Sequence, residues 1–183
     1  MINIIIKEIP LQFKTLPGLF SPDKIDSGTL AMLSFVDFNS NDKVLDLGCG
    51  YGVVGILAAK IIGSEKVVMS DIDEAAVQTA KENATLNGVE NAKIIQSDGF
   101  KSINEKDFSL IISNPPYHSD FSVPKHFIEK GFNRLRLGGK MIMVVKRKDW
   151  YKRKFISIFG GVVINEKDGY YIFIAEKRSE NYA

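Results

Sequence analysis

Cysteine and histidine are scarce in this sequence, which has one cysteine and two histidines among 183 residues. The single Cys49 excludes a disulfide within the chain and is compatible with a reducing compartment. A zinc site made of cysteine and histidine is not expected either, because such a site takes about four ligands of these types. We therefore predict a protein without a structural metal.

Long apolar runs are also missing, and no stretch reaches the roughly 18 apolar residues of a transmembrane helix. The N-terminus lacks the apolar core and cleavage site of a signal peptide. The net charge is only +2, so any affinity for nucleic acid would have to come from a local basic patch. These absences predict a cytoplasmic protein without membrane contact, and they leave the oligomeric state open.

The chain length favours a single domain. We expect an N-terminal extension over residues 1–42, with two X-Pro turns and one helix near residues 27–37, followed by a core over residues 43–183. In the core, β-rich runs alternate with helical runs, including a predicted helix over residues 124–137 that Gly138-Gly139 closes. Asp168-Gly169 marks a terminal hairpin. The alternation predicts an α/β fold, a three-layer sandwich around a largely parallel sheet.

Gly50, Gly52 and Gly55 lie between a predicted strand and a predicted helix with G-x-G-x-x-G spacing. This spacing alone also fits a dinucleotide site. However, Asp46, Asp71 and Asp98 fall at or near the ends of three successive strands, where ligands of such sheets bind. Three carboxylates suit a ligand that carries an ammonium, a ribose diol and an adenine amine and that has no phosphate. We therefore expect S-adenosylmethionine rather than NAD. The alternative is that these aspartates only cap helices.

Four segments, VLDLGCGYG, SDID, QSDGF and NPPY, resemble in order and spacing the class I S-adenosylmethionine-dependent methyltransferases, over residues 43–176. The resemblance implies a Rossmann-like seven-stranded mixed sheet of order 3-2-1-4-5-7-6 with strand 7 antiparallel. It also implies a set of cofactor-binding residues: Asp46, Gly48, Cys49, Gly50, Gly52, Asp71, Ile72, Asp98, Gly99 and Asn114.

The motif Asn114-Pro115-Pro116-Tyr117 follows an apolar run and cannot continue a strand, because proline has no N–H to donate. An amine on a planar base, or an amide, is a poor nucleophile because its lone pair is delocalised. The side-chain oxygen of Asn114 and the carbonyl oxygen of Pro115 would accept hydrogen bonds from the two N–H groups of the substrate nitrogen. Both oxygens would be held in rigid positions. Tyr117 would stack on the substrate. We predict all four residues as catalytic, whereas the motif taken alone also fits a simple turn.

Residues 13–33, together with ISNPPYH, resemble the catalytic domain of the RsmC-like ribosomal RNA guanine-N2 methyltransferases. In that resemblance Phe20, Ser21, Asp26 and Gly28 lie over the cofactor, so that the N-terminal extension covers the active site. Full-length members carry an additional degenerate copy of the domain, which this sequence does not include. We expect methylation of guanine N2 in ribosomal RNA. The alternatives are a protein glutamine, adenine N6, or a non-catalytic nucleotide- or RNA-binding module.

Residues 146–154, KRKDWYKRK, combine six basic residues with two aromatic ones after the fifth predicted core strand. Such a segment at an active-site rim suits phosphate contacts and base stacking, although a solvated helix face fits equally well. RNA is therefore the predicted partner. The predicted substrate-binding residues are Phe20, Ser21, Tyr117, Lys146, Arg147 and Trp150.

Overall fold

The computed structural model describes residues 1–116 and 120–183. The strands are β1 (Ile2–Ile6), β2 (Ile9–Phe13), β3 (Val44–Leu47), β4 (Val67–Asp71), β5 (Lys93–Gln96), β6 (Phe108–Ser113), β7 (Leu135–Val145), β8 (Val163–Lys167) and β9 (Tyr170–Glu176). The helices are α1 (Ser27–Leu33), α2 (Val53–Ile62), α3 (Glu74–Leu86), α4 (Ser122–Arg134) and α5 (Asp149–Phe159).

The central sheet has seven strands in the order β5-β4-β3-β6-β7-β9-β8. Strands β3 to β7 pair in parallel, and β9 runs antiparallel to both β7 and β8. Counted from β3, this order is 3-2-1-4-5-7-6 with an antiparallel strand 7. The predicted fold class and strand order are confirmed.

Helices cover both faces of the sheet, which is why the inner strands β3, β4 and β6 are buried along almost their whole length. Alternate residues of β3 enter different cores: Val44 belongs to the core that includes buried residues of α1, α2 and α3, whereas Leu45 belongs to the core that includes those of α4 and α5. This alternation places Asp46 on the same face as Val44, beneath α2. The carboxyl end of β3 thereby holds a buried carboxyl group close to the start of a helix.

The predicted helix over residues 124–137 is wrong at its end, because α4 stops at Arg134 and β7 begins at Leu135. Gly138 and Gly139 lie inside β7, where the pairing with β6 shifts register. Gly138 has a φ of +80°, and its N–H donates to the carbonyl of Lys177 at 2.8 Å. The two glycines therefore form an irregularity in a strand instead of a helix end.

The N-terminal extension contains a hairpin, formed by β1 and β2, which was not predicted. Pro10, expected in a turn, lies within β2. Two asparagines, Asn83 of α3 and Asn87 at the C-cap of this helix, bind the backbone at the end of β2. The side-chain oxygen of Asn83 accepts the backbone N–H of Lys14 at 2.7 Å, and its side-chain nitrogen donates to the backbone carbonyl of Lys14 at 2.9 Å. Asn87 pairs with the backbone of Gln12 in the same way, at 3.1 and 2.8 Å. These bonds fasten the extension to the core.

Candidate active site

A cavity of about 340 Å³ opens at the carboxyl ends of the central strands, where ligands of doubly wound sheets bind. Most of the predicted site residues line it: Phe20, Ser21, Asp46, Gly48, Cys49, Gly50, Asp71, Ile72, Asp98, Gly99, Asn114, Pro115 and Pro116. The described lining does not include Gly52, Lys146, Arg147 or Trp150. Tyr117 lies outside the described residues. The fold thus brings the predicted cofactor residues and the predicted catalytic corner to one volume.

The glycine loop turns the chain sharply from β3 into α2. Gly48, Gly50 and Gly52 have φ values of +74°, +56° and +103°, which L-residues with a side chain rarely adopt. Gly55 serves close packing instead, since a Cβ there would lie 2.3 Å from Cγ of Met69 on β4. The loop can therefore line the cavity with backbone while α2 lies tightly on the sheet.

Asp46 is a buried carboxyl group at the base of this loop, only 4% exposed. Its Oδ2 accepts the backbone N–H of Gly55 at 2.8 Å. Burial, and secondarily the nearby carboxylate of Asp71, raise the pKa of Asp46 to about 7. A cationic group in the cavity would lower that pKa, so the position suits an ammonium.

Asp71 ends β4 and holds the loop from the other side. Its Oδ2 accepts the N–H of Gly50 at 2.8 Å, and its Oδ1 accepts the N–H of Asp73 at 3.0 Å. The helix cap of α3 is Asp73, whose side chain accepts from Ala75 at 2.9 Å. The capping alternative thus applies to Asp73, whereas the carboxylate of Asp71 faces the cavity with its remaining acceptor capacity.

Asp98 lies at the exposed rim of the cavity, where it pairs with Lys101 at 2.9 Å. The hydrogen bond from Lys101 lowers the pKa of Asp98, so this carboxyl is charged at neutral pH. The next residue, Gly99, packs on His126, whose Nε2 would lie 2.4 Å from a Cβ at this glycine. Burial lowers the pKa of His126. None of the motifs singled out this histidine.

Two further predicted cofactor residues contribute apolar surface to the cavity. Ile72 follows β4 directly, and its side chain is 63% exposed, which offers an apolar face to a planar ring. Cys49 is buried in the glycine loop, and burial raises the pKa of its thiol well above the usual value. A raised pKa keeps the thiol protonated at neutral pH, which disfavours a nucleophilic role for Cys49.

The predicted catalytic corner begins where β6 ends. The amide nitrogen of Asn114 donates to Oδ2 of Asp26 at 2.9 Å and to Oγ1 of Thr29 at 3.0 Å. Pro115 is buried and Pro116 is exposed, and both line the cavity. Asp26 was expected to lie over the cofactor; it lines the cavity and also holds Asn114. Thr29 was missed, and its only sequence signal is its position three residues after a helix-capping aspartate.

The N-terminal extension forms one wall of the cavity through Phe20 and Ser21. The phenol of Tyr51, in the glycine loop, donates to the carbonyl of Ser21 at 3.0 Å and joins this wall to the loop. Burial, with a smaller contribution from the Asp26 carboxylate, raises the pKa of Tyr51 to about 12. Tyr51 is a lining residue that the motifs did not single out.

The basic segment, residues 146–154, runs from the end of β7 into α5 at the same edge of the sheet. Trp150 is stacked on Phe121 with ring centroids 4.4 Å apart, and the guanidinium of Arg147 lies 5.8 Å from the same Phe121 ring. One face of Trp150 is therefore already covered, which limits its use for stacking on a base. Lys152 and Arg153 are exposed on α5.

Across residues 1–116 and 120–183, no helix combines the length and apolarity needed to cross a membrane. Nor does this part of the chain contain three or more His, Cys, Asp or Glu side chains grouped to hold a metal ion.

Comparison with known proteins agrees with this geometry. The family model of the methyltransferase small domain matches residues 10–174. The Bacillus subtilis protein YbxB is 34% identical over 166 residues, covering 87% of this chain and 83% of YbxB. A methyltransferase structure from Pyrococcus furiosus superposes with a TM-score of 0.74 at 20% identity, covering 92% of this chain and 90% of that one, and so shares the fold.

Ribosomal RNA small subunit methyltransferase C of Serratia proteamaculans is 33% identical over 87% of this chain and 46% of its own length. The structure of the T. thermophilus 16S rRNA N2 methyltransferase RsmC, with AdoMet and guanosine, superposes with a TM-score of 0.87 at 27% identity, over 97% of this chain and 50% of that one. The chain spans about half the length of these RsmC relatives. The resemblance read from the motifs is confirmed, and the chain belongs to the methyltransferase small domain family.

Proposed function

We propose that this protein is an S-adenosylmethionine-dependent N-methyltransferase that acts on guanine N2 of ribosomal RNA. The observation that carries the proposal is the single cavity that joins the aspartates at the ends of β3 and β4 to Asn114 at the end of β6. A carboxylate-lined pocket beside an oriented amide suits a cationic methyl donor and an amine acceptor. Under this proposal residues 1–183 act as one domain, and the protein works in the cytoplasm.

The donor set of the cavity fits S-adenosylmethionine, which supplies an electrophilic methyl group when bound. Asp46 would hold the ammonium, because its buried carboxyl lacks a cationic partner among the bonds described above. Asp71 would accept the ribose hydroxyls, since both of its oxygens are already oriented by backbone N–H groups. Asp98, at the rim, would accept from the adenine amine, with Ile72 against the ring. The AdoMet in the RsmC structure from T. thermophilus supports the choice of cofactor.

The catalytic corner would act by orienting the acceptor amine. Oδ1 of Asn114 and the carbonyl oxygen of Pro115 would each accept a hydrogen bond from one N–H group of the amine. These two hydrogen bonds would direct the lone pair of the amine towards the methyl donor. Proline restricts the backbone at this point, so little reorganisation accompanies the reaction. Positioning would supply most of the rate enhancement, since effective molarities of oriented groups reach about 10⁵ M and above.

The choice of RNA as substrate is supported by the RsmC relatives, whose names state ribosomal RNA, and by the basic segment beside the corner. Lys146 and Arg147 follow β7 at the edge that carries Asn114, so phosphates of a bound RNA could reach them while a base enters the cavity. A flipped-out or unpaired guanine is the form in which this cavity could receive a base.

The test is methyl transfer from tritiated S-adenosylmethionine to small ribosomal subunits, naked ribosomal RNA and a protein fraction, followed by nucleoside and amino-acid analysis. We expect N2-methylguanosine in the RNA and no label in the protein. The Asn114→Ala variant, which should keep its affinity for the cofactor within a few-fold, is the matched control. Label recovered as N6-methyladenosine or as a methylated glutamine would replace the proposed substrate by that alternative, and binding without transfer would indicate a non-catalytic module.

A further inference from the structure

The side-chain nitrogen of Asn114 is held by two residues of the N-terminal extension. This nitrogen donates one hydrogen to Oδ2 of Asp26 at 2.9 Å and the other to Oγ1 of Thr29 at 3.0 Å. Asp26 and Thr29 are 88 and 85 residues away in sequence. The orientation of the predicted catalytic side chain therefore depends on a segment outside the four motifs of residues 43–176.

The hydrogen-bonding chemistry of Asp26 and Thr29 decides whether the nitrogen or the oxygen of the Asn114 amide faces them. A carboxylate can only accept hydrogen bonds, so the group that meets Asp26 must be the nitrogen of Asn114 and not its oxygen. The hydroxyl of Thr29 lies 3.3 Å from the same carboxylate oxygen, to which it can donate while it accepts from Asn114. With the nitrogen turned towards α1, Oδ1 is turned away from α1. A rotated amide would place two acceptors against each other.

Asp26 is itself held rigidly at the start of α1. Its Oδ2 also accepts the backbone N–H of Thr29 at 2.9 Å and caps the helix. Gly28 allows the helix to lie directly on β9, because a Cβ at this position would be 2.7 Å from the ring of Tyr170. The hydroxyl of Ser27 is 3.0 Å from the phenol oxygen of the same tyrosine. The carboxylate is thus fixed against the sheet that carries the active site.

We propose that Asp26, assisted by Thr29, is a positioning residue that sets the orientation of the Asn114 amide for methyl transfer. The carboxylate also places a negative charge behind the amide, which polarises it and strengthens Oδ1 as an acceptor for an amine that becomes positive during the reaction. The inference rests on the proposed function of Asn114 as the acceptor for the substrate amine. It makes the N-terminal extension part of the catalytic apparatus as well as a wall of the cavity.

The first experiment compares Asp26→Ala, Asp26→Asn and Thr29→Val in single-turnover methylation of the ribosomal RNA substrate and in calorimetry with S-adenosylmethionine. For Asp26→Ala we expect a rate lower by about 100-fold with the cofactor Kd within about threefold, as for loss of an oriented supporting group. Asp26→Asn keeps an acceptor oxygen and an equally good helix cap, so it should transfer methyl groups about tenfold faster than Asp26→Ala. Thr29→Val should slow transfer by about tenfold.

Asp42→Ala is the matched control, because it also removes an aspartate that accepts a backbone N–H and a side-chain hydroxyl, from Asn39 and Ser109, both at 2.7 Å. Asp42 precedes β3 at the amino end of the sheet and lies outside the described cavity lining. Asp42→Ala should lower the Tm about as much as Asp26→Ala while the methylation rate stays within twofold. If Asp26→Ala transferred methyl groups at the rate of Asp42→Ala, Asp26 would be a helix cap and nothing more.

A second measurement needs no substrate and separates this proposal from the proposed function. The side-chain amide of Asn114, assigned in ¹⁵N-edited NMR spectra by its absence in Asn114→Ala, should show downfield, exchange-protected protons. One proton should lose both properties in Asp26→Ala and the other in Thr29→Val. Amide signals that neither substitution moves would overturn the positioning role. Absence of RNA methylation by the wild type, with the expected amide signals present, would instead reject the proposed substrate.

Discussion

The carboxylate of Asp46 lies 2.8 Å from the backbone nitrogen of Gly55, and burial raises its pKa to about 7. A ligand ammonium would favour the ionised form, so binding of S-adenosylmethionine should release a proton at low pH and become tighter as the pH rises. Between about pH 6 and about pH 7.5 we expect the Kd to fall roughly tenfold, measured by calorimetry in buffers of different ionisation enthalpy.

Two variants isolate the contribution of Asp46 to that pH dependence. Asp46→Asn should bind more weakly at the higher pH and show a nearly flat profile. Asp98→Asn should keep the wild-type slope, because the pKa of Asp98 is lowered by Lys101 and its charge does not change in this range. A flat profile in the wild type would show that the cofactor's cationic group does not lie next to Asp46.

The loss of Asp71 should affect the cofactor in two ways. Its carboxylate faces the cavity and also fixes Gly50, whose N–H it accepts at 2.8 Å. Asp71→Ala should weaken S-adenosylmethionine binding by about 1.5–3 kcal/mol, the range for a charge-assisted hydrogen bond, and loosening of the loop should place it near the upper end. Asp71→Asn, which keeps acceptor capacity, should lose less. Equal affinities of Asp71→Ala and the wild type in calorimetry would remove Asp71 from the site.

The two hairpins show why one was predictable and the other was not. Asp168 and Gly169 have φ values of +53° and +80°, and this residue pair is the usual signal for a two-residue turn with positive φ. Lys7 and Glu8 adopt the same conformation, with φ values of +52° and +66°, although neither residue favours it. The pairing of β1 with β2, which brings Ile6 opposite Ile9, holds that turn in place, so the strand pairing decides its conformation and the two turn residues do not.

The candidate site also has a part that could be predicted from the sequence and a part that could not. The residues at the ends of β3, β4 and β6 could be predicted, because the motifs lie directly after apolar strands whose carboxyl ends must meet at one edge. The contact of Asp26 with Asn114 could not, since it joins residues 88 positions apart through an element outside the motifs. Trp150 was predicted from composition alone, and its stacking on Phe121 depends on how α4 and α5 pack.

The attachment of the N-terminal extension predicts a large effect on stability. Asn83 is fully buried, and its amide bonds the backbone of Lys14 twice and the carbonyl of Tyr51 at 2.9 Å. Asn83→Ala would leave these backbone groups unpaired, so we expect a loss of about 3 kcal/mol or more in the free energy of unfolding, measured by urea denaturation. Asn133→Ala, at an exposed helical asparagine, should change it by less than about 0.5 kcal/mol. Equal effects of the two substitutions would contradict the anchoring role.

The basic segment, residues 146–154, tests whether RNA is the substrate class. If it neutralises phosphates, log affinity for RNA should fall linearly with log salt concentration, and each lost contact should reduce the slope by about one. We expect a flattening of about two to four units, with unchanged cofactor affinity, when alanine replaces Lys146, Arg147, Lys152 and Arg153. A charge-matched control should keep the wild-type slope in the same fluorescence titrations; it replaces Lys81, Lys106, Arg136 and Lys140.

Trp150→Ala separates packing from base contact in these titrations. Because Trp150 is stacked on Phe121, next to the catalytic corner, its loss should lower the methylation rate and the Tm more than the affinity for RNA, and should leave the salt slope unchanged. A loss of RNA affinity of about 1–3 kcal/mol at unchanged Tm would instead show that Trp150 stacks on a base with its other face. If the fourfold variant and its charge-matched control had the same slope, the segment would be a solvated helix face, and a protein glutamine would become the stronger candidate for the methyl acceptor.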